Sequence, residues 1–275
     1  MFGSWKKGLG AAVAVAAVLG LGAKIWCHNA LDKYAQTAGL ILEYHSVGEQ
    51  KDWDSYMVVA PKVFEHHLQK LQELGYHMVT VAQLTERLRT GASVDKYVAI
   101  SFDDGYKDNY THALPLLKKY NAKATFHLIE PKIGGSIYMD AAQIRELLQA
   151  GMEIGSHTMS HHQLAEIDPK YLEWEIGVSK YALEKRFPGL QVRTLAYPNG
   201  SVNAQVIAAL KKYGYEQALT GHTGSVNQEQ YREHPMELNR LIVIDDGRGQ
   251  YYFEGLLRRG YRRSMFLEWG IDLGE

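Results

Sequence analysis

The fold of this chain is decided by a short apolar run that ends in two adjacent acids and a glycine, Tyr97-Val98-Ala99-Ile100-Ser101-Phe102-Asp103-Asp104-Gly105. The apolar residues predict a buried strand over Tyr97–Phe102, and Gly105 opens the turn that follows it. Catalytic groups collect at the carboxyl ends of strands in parallel α/β barrels. An acid pair at such a junction is also typical of an Asx turn or a helix cap, so the pair alone does not establish a site.

Strand-like and helix-like runs alternate on both sides of this stretch. Further strands are predicted at Leu40–His45, Ala122–Leu128, Met152–Gly155, Arg193–Tyr197, Gln217–Thr220 and Leu241–Ile244. Helices are predicted at Pro61–Gly75, Asn109–Tyr120, Ala141–Ala150, Pro169–Phe187 (the longest), Val202–Tyr213 and Tyr251–Arg259. The alternation indicates an α/β fold, a deformed (β/α) barrel with about seven parallel strands.

Composition excludes several classes of protein. The chain has 275 residues, of which 46% are hydrophobic and 22% charged, so it can bury a sizeable core and is not disordered. A net charge of -1 gives no electrostatic reason to expect nucleic acid as a partner. Cys27 is the single cysteine, which excludes an internal disulfide and a Cys-ligated metal enzyme.

The N-terminus resembles a targeting segment. Lys6 and Lys7 precede the uncharged run Gly8–Ala23, and Trp26 follows where an interfacial aromatic residue would lie. We expect a membrane anchor, and a signal peptide cleaved among the small residues near Gly22 is the alternative. Both readings place the remainder of the chain outside the cytoplasm, because the lysines stay inside.

This segment defines the expected domain organisation. Residues 1–27 are interpreted as the signal anchor or signal peptide, 28–39 as a linker, and 40–275 as one catalytic domain. We find no internal repeat or Pro-rich linker within the catalytic segment.

A second polar motif follows the predicted strand Met152–Gly155, with the sequence Ser156-His157-Thr158-Met159-Ser160-His161-His162. On a helical turn, His157 and His161 would share one face and could bind one divalent ion. Histidines at this spacing also occur by chance on surfaces. Two histidines and one carboxylate, however, form a facial triad that leaves positions open for water and substrate. We therefore predict one divalent metal ion, with His162 as a neighbour of the site.

These motifs resemble those of the polysaccharide deacetylases of carbohydrate esterase family four. The similar stretches lie between about Leu40 and Val243 and are Ser101–Gly105, Ala124–Phe126, Glu153–Ser156, His157–His161, Ala196–Gly200 and Leu238–Arg240. The resemblance implies a deformed (β/α) barrel, and it is strongest to the deacetylases of exported poly-N-acetylglucosamine. It also implies that Asp104, His157 and His161 bind the metal, usually zinc, and that Asp103 is the general base.

The third motif, Ala196-Tyr197-Pro198-Asn199-Gly200, departs from the family in one position. The family has a tyrosine where this chain has Asn199, and the backbone N–H of that residue stabilises the oxyanion. A backbone donor survives the change of side chain, whereas a substrate contact can be lost. We expect Asn199 and Tyr197 to form the oxyanion and substrate-binding part of the site.

The general acid departs from the family as well. Most members supply it from a Leu-x-His motif near the C-terminus, but no histidine follows His234 in this chain. Leu42-Glu43-Tyr44-His45 closes the first predicted strand, so we assign His45 as the general acid. A histidine satisfied by backbone at a strand end is the alternative, and His222 is the next candidate. We also note that Arg240 and Arg193 could orient carboxylates, and that Trp53, Tyr56 and Tyr138 could stack on sugars.

The expected function is metal-dependent hydrolysis of N-acetyl groups on a β-linked N-acetylglucosamine polymer, either an exopolysaccharide or peptidoglycan. The expected partners are this acetylated polysaccharide and, through the N-terminal segment, a membrane. The alternatives are an O-acetyl esterase acting on a cell-surface polysaccharide and a non-catalytic glycan-binding module on the same fold. A base beside a metal argues against the binding module, because binding alone does not need one.

Overall fold

A computed structural model describes residues 24–49, 57–245 and 250–272. In these ranges the strands are β1 Ala38–Tyr44, β2 Ser46–Val47, β3 Val58–Val59, β4 His77–Val79, β5 Tyr97–Phe102, β6 Thr125–Leu128, β7 Glu153–Ser156, β8 Thr194–Ala196, β9 Gln217–Thr223, β10 Val226–Asn227 and β11 Leu238–Ile242. The helices are α1 24–35, α2 Pro61–Glu73, α3 Val81–Thr90, α4 Leu114–Lys119, α5 Ala141–Gln149, α6 Ser179–Arg186, α7 Ala204–Lys212, α8 Gln228–Glu233 and α9 Gln250–Glu268.

Seven parallel strands close into a barrel. Their order is β1, β5, β6, β7, β8, β9 and β11, and β11 pairs again with β1. Strand β4 adds in parallel to the first half of β5, and β10 pairs antiparallel with the start of β1. The predicted α/β barrel is therefore confirmed, with its strand count of seven.

The barrel strands are continuous apolar runs because both faces of each strand are buried. All seven residues of β1 are buried, and Tyr44 at its end packs against Phe64 and Phe102. The surrounding helices are amphipathic, and α2 turns Phe64, Leu68 and Leu71 towards the barrel. The parallel arrangement brings the carboxyl ends of β1, β5, β7, β8 and β11 to one rim.

The structure differs from the sequence prediction in several elements. The predicted helix Pro169–Phe187 is not one α-helix: a 3₁₀ turn Pro169–Tyr171 and a π-helical turn Glu173–Val178 precede α6. The π-helical turn contains Gly177. A Cβ atom at this position would lie 2.7 Å from the ring of Tyr213, which is too close for any residue with a side chain unless the ring moves. A second π-helical turn, Asn109–Ala113, precedes α4. Among the described helices, α9 with 19 residues is the longest.

The predicted linker 28–39 contains most of α1 and the first residues of β1. Helix α1 packs on the end of α9, since the Tyr34 hydroxyl donates to Glu268 at 2.8 Å and the rings of Trp26 and Trp269 lie 5.5 Å apart. Most of the predicted anchor or signal peptide 1–27 lies outside the described residues, as do Trp53 and Tyr56. None of the helices in the described ranges is long and apolar enough to cross a membrane.

Candidate active site

Two adjacent acids follow β5 at the rim. Asp103 is 1% exposed, and the backbone at Asp104 is left-handed, with φ 71°. Aspartate adopts this conformation more readily than most residues, and Gly105 continues it with φ 77°. The two carboxylates consequently have different neighbours: Asp104 faces two histidines, and Asp103 faces an arginine and a third histidine.

Asp104, His157 and His161 form one cluster. The Oδ1 atom of Asp104 lies 3.7 Å from Nε2 of His157 and 3.5 Å from Nε2 of His161. Ligand atoms around one tetrahedral zinc ion lie about 3.4 Å apart, so this nitrogen and oxygen donor set fits a single divalent ion. The structure thus brings together the three residues that the sequence predicted as metal ligands.

The surroundings of His157 orient its imidazole and keep it neutral. Its Nδ1–H donates to the carbonyl of Ala196 on β8 at 2.8 Å, which leaves the lone pair on the Nε2 atom that faces Asp104. Burial lowers the pKa of His157 to about 4, although Asp103 and Asp104 oppose that shift. At neutral pH the imidazole is therefore uncharged, as metal ligation requires.

The histidine motif is a loop, so the predicted helical turn is wrong. Thr158 and His161 have φ values of 69° and 63°, which no α-helical turn allows. Glu175, from the π-helical turn, holds this loop: one of its carboxylate oxygens accepts the N–H groups of Met159 (3.1 Å) and Ser160 (3.0 Å). The Ser160 hydroxyl also donates to Glu175. The loop is thereby fixed in the shape that turns both imidazoles towards Asp104.

Asp103 is held from two sides. Nη1 of Arg240 lies 2.8 Å from one carboxylate oxygen, and Nδ1 of His127 lies 3.2 Å from the other. Burial would raise the pKa of Asp103, but Arg240, His157 and His127 hold that pKa well below its usual range. Asp103 is therefore an ionised carboxylate in a buried position.

Arg240 is shared with a second buried carboxyl group. Its Nε atom lies 3.1 Å from Glu43 and also donates to the carbonyl of Thr220 at 2.9 Å. Burial raises the pKa of Glu43, an effect that Arg240 opposes and the neighbouring Asp103 charge reinforces. Strands β1, β5 and β11 meet at this arginine.

His45 follows β1 on the same rim. Its side chain is 17% exposed and lines the same cleft as Asp103, Asp104 and the two clustered histidines. The backbone carbonyl of His45 accepts from the buried Asn109 side chain at 2.8 Å, and its Nε2 atom lies 3.8 Å from Glu43. His45 is outside the Asp104 cluster.

The third motif also lines the cleft. Asn199 sits in a 3₁₀ turn with φ 53°, and Tyr197 is 1% exposed with its hydroxyl donating to the carbonyl of Met236 at 2.9 Å. The Tyr197 hydroxyl is thus engaged within the protein. His222 is exposed in the cleft wall, whereas Arg193 pairs at the surface with Glu216 at 3.6 Å.

These residues surround one cleft of about 600 Å³, a volume suited to sugar residues. Tyr106, Ile137 and Met57 contribute to its wall. The ring of Tyr138 stacks on that of Tyr106 with centroids 5.5 Å apart, so it supports an aromatic residue of the wall.

Sequence reasoning missed Glu43, His127 and Glu175 as parts of the site. One signal was available for the first two, because a charged or imidazole side chain inside an otherwise apolar strand is unusual unless it is paired. Glu175 carried no such signal, since it lies in a polar helical pattern.

Comparison with known proteins identifies the family. The family described as polysaccharide deacetylase matches residues 90–218. The Bacillus subtilis protein YxkH, which carries the name of a polysaccharide deacetylase, is 34% identical over 191 residues, covering 69% of this chain and 67% of YxkH. This chain belongs to the polysaccharide deacetylase family. It is therefore a deacetylase, a hydrolase.

Two further similarities extend over most of this polysaccharide deacetylase chain. The poly-β-1,6-N-acetyl-D-glucosamine N-deacetylase of Staphylococcus epidermidis is 27% identical over 254 residues, covering 82% of this chain and 84% of that protein. A Streptococcus pyogenes deacetylase solved in complex with acetate has a TM-score of 0.74 at 26% identity, covering 82% of this chain and 99% of that one.

Proposed function

We propose that this polysaccharide deacetylase is metal-dependent and removes N-acetyl groups from a β-linked N-acetylglucosamine polymer. The observation that carries the proposal is the placement of the buried, ionised Asp103 beside the cluster of Asp104, His157 and His161. A carboxylate next to a metal-binding cluster can activate water for the hydrolysis of an unactivated amide.

In this proposal, Asp104, His157 and His161 hold one divalent ion, with zinc favoured by the two nitrogen donors and one oxygen donor. When bound, the ion polarises the amide carbonyl and lowers the pKa of the attacking water. Asp104 supplies the negative charge, and the two imidazoles supply lone pairs.

The chain's own residues carry the protons. Asp103 takes the proton of the attacking water, and Arg240 and His127 hold its carboxylate in position to do so. The Asn199 backbone N–H stabilises the oxyanion that forms on the carbonyl oxygen when the water attacks the carbonyl carbon. His45 gives a proton to the leaving nitrogen as the carbon–nitrogen bond breaks, which releases acetate and leaves a free amine on the sugar.

The substrate is proposed from the cleft and from the relatives together. An open cleft of about 600 Å³ admits a sugar residue within a polymer. The S. epidermidis relative, which aligns over 82% of this chain, is named for poly-β-1,6-N-acetyl-D-glucosamine. We place an exopolysaccharide of this type ahead of peptidoglycan.

The location of the enzyme is proposed from its N-terminus. Lys6 and Lys7 before the uncharged run Gly8–Ala23 support a membrane anchor, with the catalytic domain 40–275 outside the cytoplasm. A polymer exported from the cell would be accessible to an enzyme held there.

Acetate release from a panel of acetylated glycans tests this function. The panel contains a β-1,6-linked N-acetylglucosamine oligomer, peptidoglycan and an O-acetylated xylan, each assayed with added zinc and with chelator. We expect release from the first substrate, loss of activity with chelator, and recovery on adding metal. Release from the O-acetylated substrate alone would make the protein an esterase.

A further inference from the structure

Five exposed apolar side chains lie on two short segments that touch each other. Ile25 and Trp26 at the start of α1 are 54% and 61% exposed, and Leu267, Trp269 and Ile271 at the end of α9 are 43%, 43% and 45% exposed. The two segments touch, because the rings of Trp26 and Trp269 lie 5.5 Å apart. We call these five residues the apolar patch.

The apolar patch lies at the end of the barrel opposite the catalytic rim. Glu268, next to the patch, accepts from the side chain of Asn227 at 2.6 Å. Asn227 pairs with Ala38, the first residue of β1, whereas His45 follows the last residue of that strand. Helix α9 starts beyond β11 on the catalytic side and runs back along the barrel for about 28 Å, given its 19 residues.

The chemistry of the patch matches a lipid interface. Tryptophan is enriched at the level of the phospholipid headgroups, because its ring is apolar and its N–H group can hydrogen-bond with water. Arg262 is exposed and lies on the same line of α9 as Phe266 and Trp269, about 10 Å from Trp269 along the helix. An arginine at that height above the patch suits the phosphate groups of anionic lipids.

The sequence next to the patch also favours a membrane. The uncharged run Gly8–Ala23 ends two residues before Ile25, so a membrane-bound N-terminal segment would bring the bilayer next to the patch. A lipid surface is favoured over a second copy of the chain, because the uncharged run Gly8–Ala23 adjoins the patch in sequence.

We propose that the apolar patch docks onto the lipid interface of the membrane and holds the barrel upright, with its catalytic cleft facing away from the bilayer. This goes beyond anchoring, since an anchor alone leaves the domain free to tilt and rotate. The docked domain presents the cleft to a polymer on the far side from the membrane.

Depth-dependent fluorescence quenching tests the docking. The full chain is reconstituted into vesicles of phosphatidylcholine and phosphatidylglycerol, either unlabelled or brominated near the top of the acyl chains. We expect Trp26→Phe and Trp269→Phe each to remove emission that the brominated lipid quenches. Trp174→Phe, which changes an exposed tryptophan outside the patch, should instead remove emission that aqueous iodide quenches. The emission of the tryptophans that are not replaced is subtracted when the spectrum of each variant is compared with that of the unchanged chain.

Three outcomes would overturn the proposal. The emission lost in Trp26→Phe and Trp269→Phe could be sensitive to iodide and not to brominated lipid. The full chain could fail to float with the vesicles. It could also form a dimer that Trp269→Glu dissociates, which would make the patch a contact between copies. Acetate release is measured on the same samples, so failure of docking and failure of the deacetylase proposal are told apart.

Discussion

Asp103 and Asp104 are neighbours in sequence with unlike surroundings. The left-handed backbone at Asp104 separates the two carboxylates, so that one lies against Arg240 and the other against two histidines. Because a base must keep its negative charge and a free lone pair, the arginine-paired Asp103 suits that role. Asp104 suits ligation, because it faces two nitrogen donors.

Replacing each acid by its amide separates these roles. Asp103→Asn should keep the bound metal and the fold and lower the turnover number by about 10²–10⁴-fold, because an amide cannot take the proton of the attacking water. Asp104→Asn should lose metal, because it removes the charged ligand. Metal content per chain and turnover are measured on both variants. The reverse pattern would mean that the two roles are exchanged.

His45 is expected to act only on the leaving group. His45→Ala should strongly lower hydrolysis of an N-acetyl substrate with unchanged metal content, since an amine leaves poorly without a proton. An activated acetyl ester, whose leaving group needs no proton, should be hydrolysed nearly as fast as by the unchanged enzyme. His222→Ala is the matched control at another histidine of the cleft. Equal losses on both substrates would contradict the assignment.

At the scale of elements, the loop after β7 depends on a side chain from the next helical segment. Glu175→Ala leaves two backbone N–H groups and the Ser160 hydroxyl without their acceptor. We expect a loss of about 1–3 kcal/mol in the free energy of unfolding, measured by urea titration in chelator. Zinc affinity should also fall, because His161 is no longer held near Asp104. Glu173→Ala, at an exposed acid in the same turn, is the control.

An unchanged zinc affinity in Glu175→Ala would show that the loop keeps its shape without the carboxylate. The metal cluster would then be set by the strands alone.

Sequence patterns predicted the barrel because its strands are continuous apolar runs bounded by turn residues. Tyr97–Phe102 was placed without error, since an apolar run and a polar pair fix both of its ends. Strand β4 and helix α3 were missed: β4 has three residues, of which only Met78 is buried, so its pattern is too short to predict a strand. The helical turn predicted at His157–His161 was wrong because Glu175, a tertiary partner, fixes the loop.

The site residues could likewise be predicted where the signal is local in sequence, and not where it depends on contacts between distant segments. The metal cluster could be predicted because its residues fall in two short motifs with recognisable spacing. Arg240 could be named as a residue able to orient a carboxylate, but its pairing with Asp103 could not be predicted, because the two lie 137 residues apart in the chain and their contact depends on how β11 closes the barrel. Local periodicity carries no information on such a contact.

At the scale of the whole molecule, we expect the buried residue His67 to make the fold sensitive to acid. His67 is 4% exposed, stacks on Phe253 and contacts the Tyr44 hydroxyl at 3.1 Å. Burial lowers the pKa of His67 to about 3. The unfolded chain takes up a proton on this residue below about pH 6.5, whereas the folded state does not, so stability is complete above that pH and falls as the pH decreases.

His67→Phe should flatten this dependence. Between pH 6 and pH 4, the slope of unfolding free energy against pH should decrease by up to about 1.4 kcal/mol per pH unit, the value for one proton. Urea unfolding in chelator measures the slope free of metal release. His77→Phe, at an exposed histidine, controls for the substitution itself. An unchanged slope in His67→Phe would assign the acid sensitivity to other groups.

The barrel closes where its first strand meets its last. In a chain synthesised from its N-terminus, β1 can pair with β5 early, but its other edge stays open until β11 has been made. Arg240 arrives with β11, so the carboxylate of Asp103 gains its guanidinium partner only at this final step. Chains that end before β11 contain the motifs of Asp104, His157 and His161 but lack the guanidinium partner of Asp103. The base is therefore held only once the last barrel strand has been made, and a chain truncated before β11 should not release acetate.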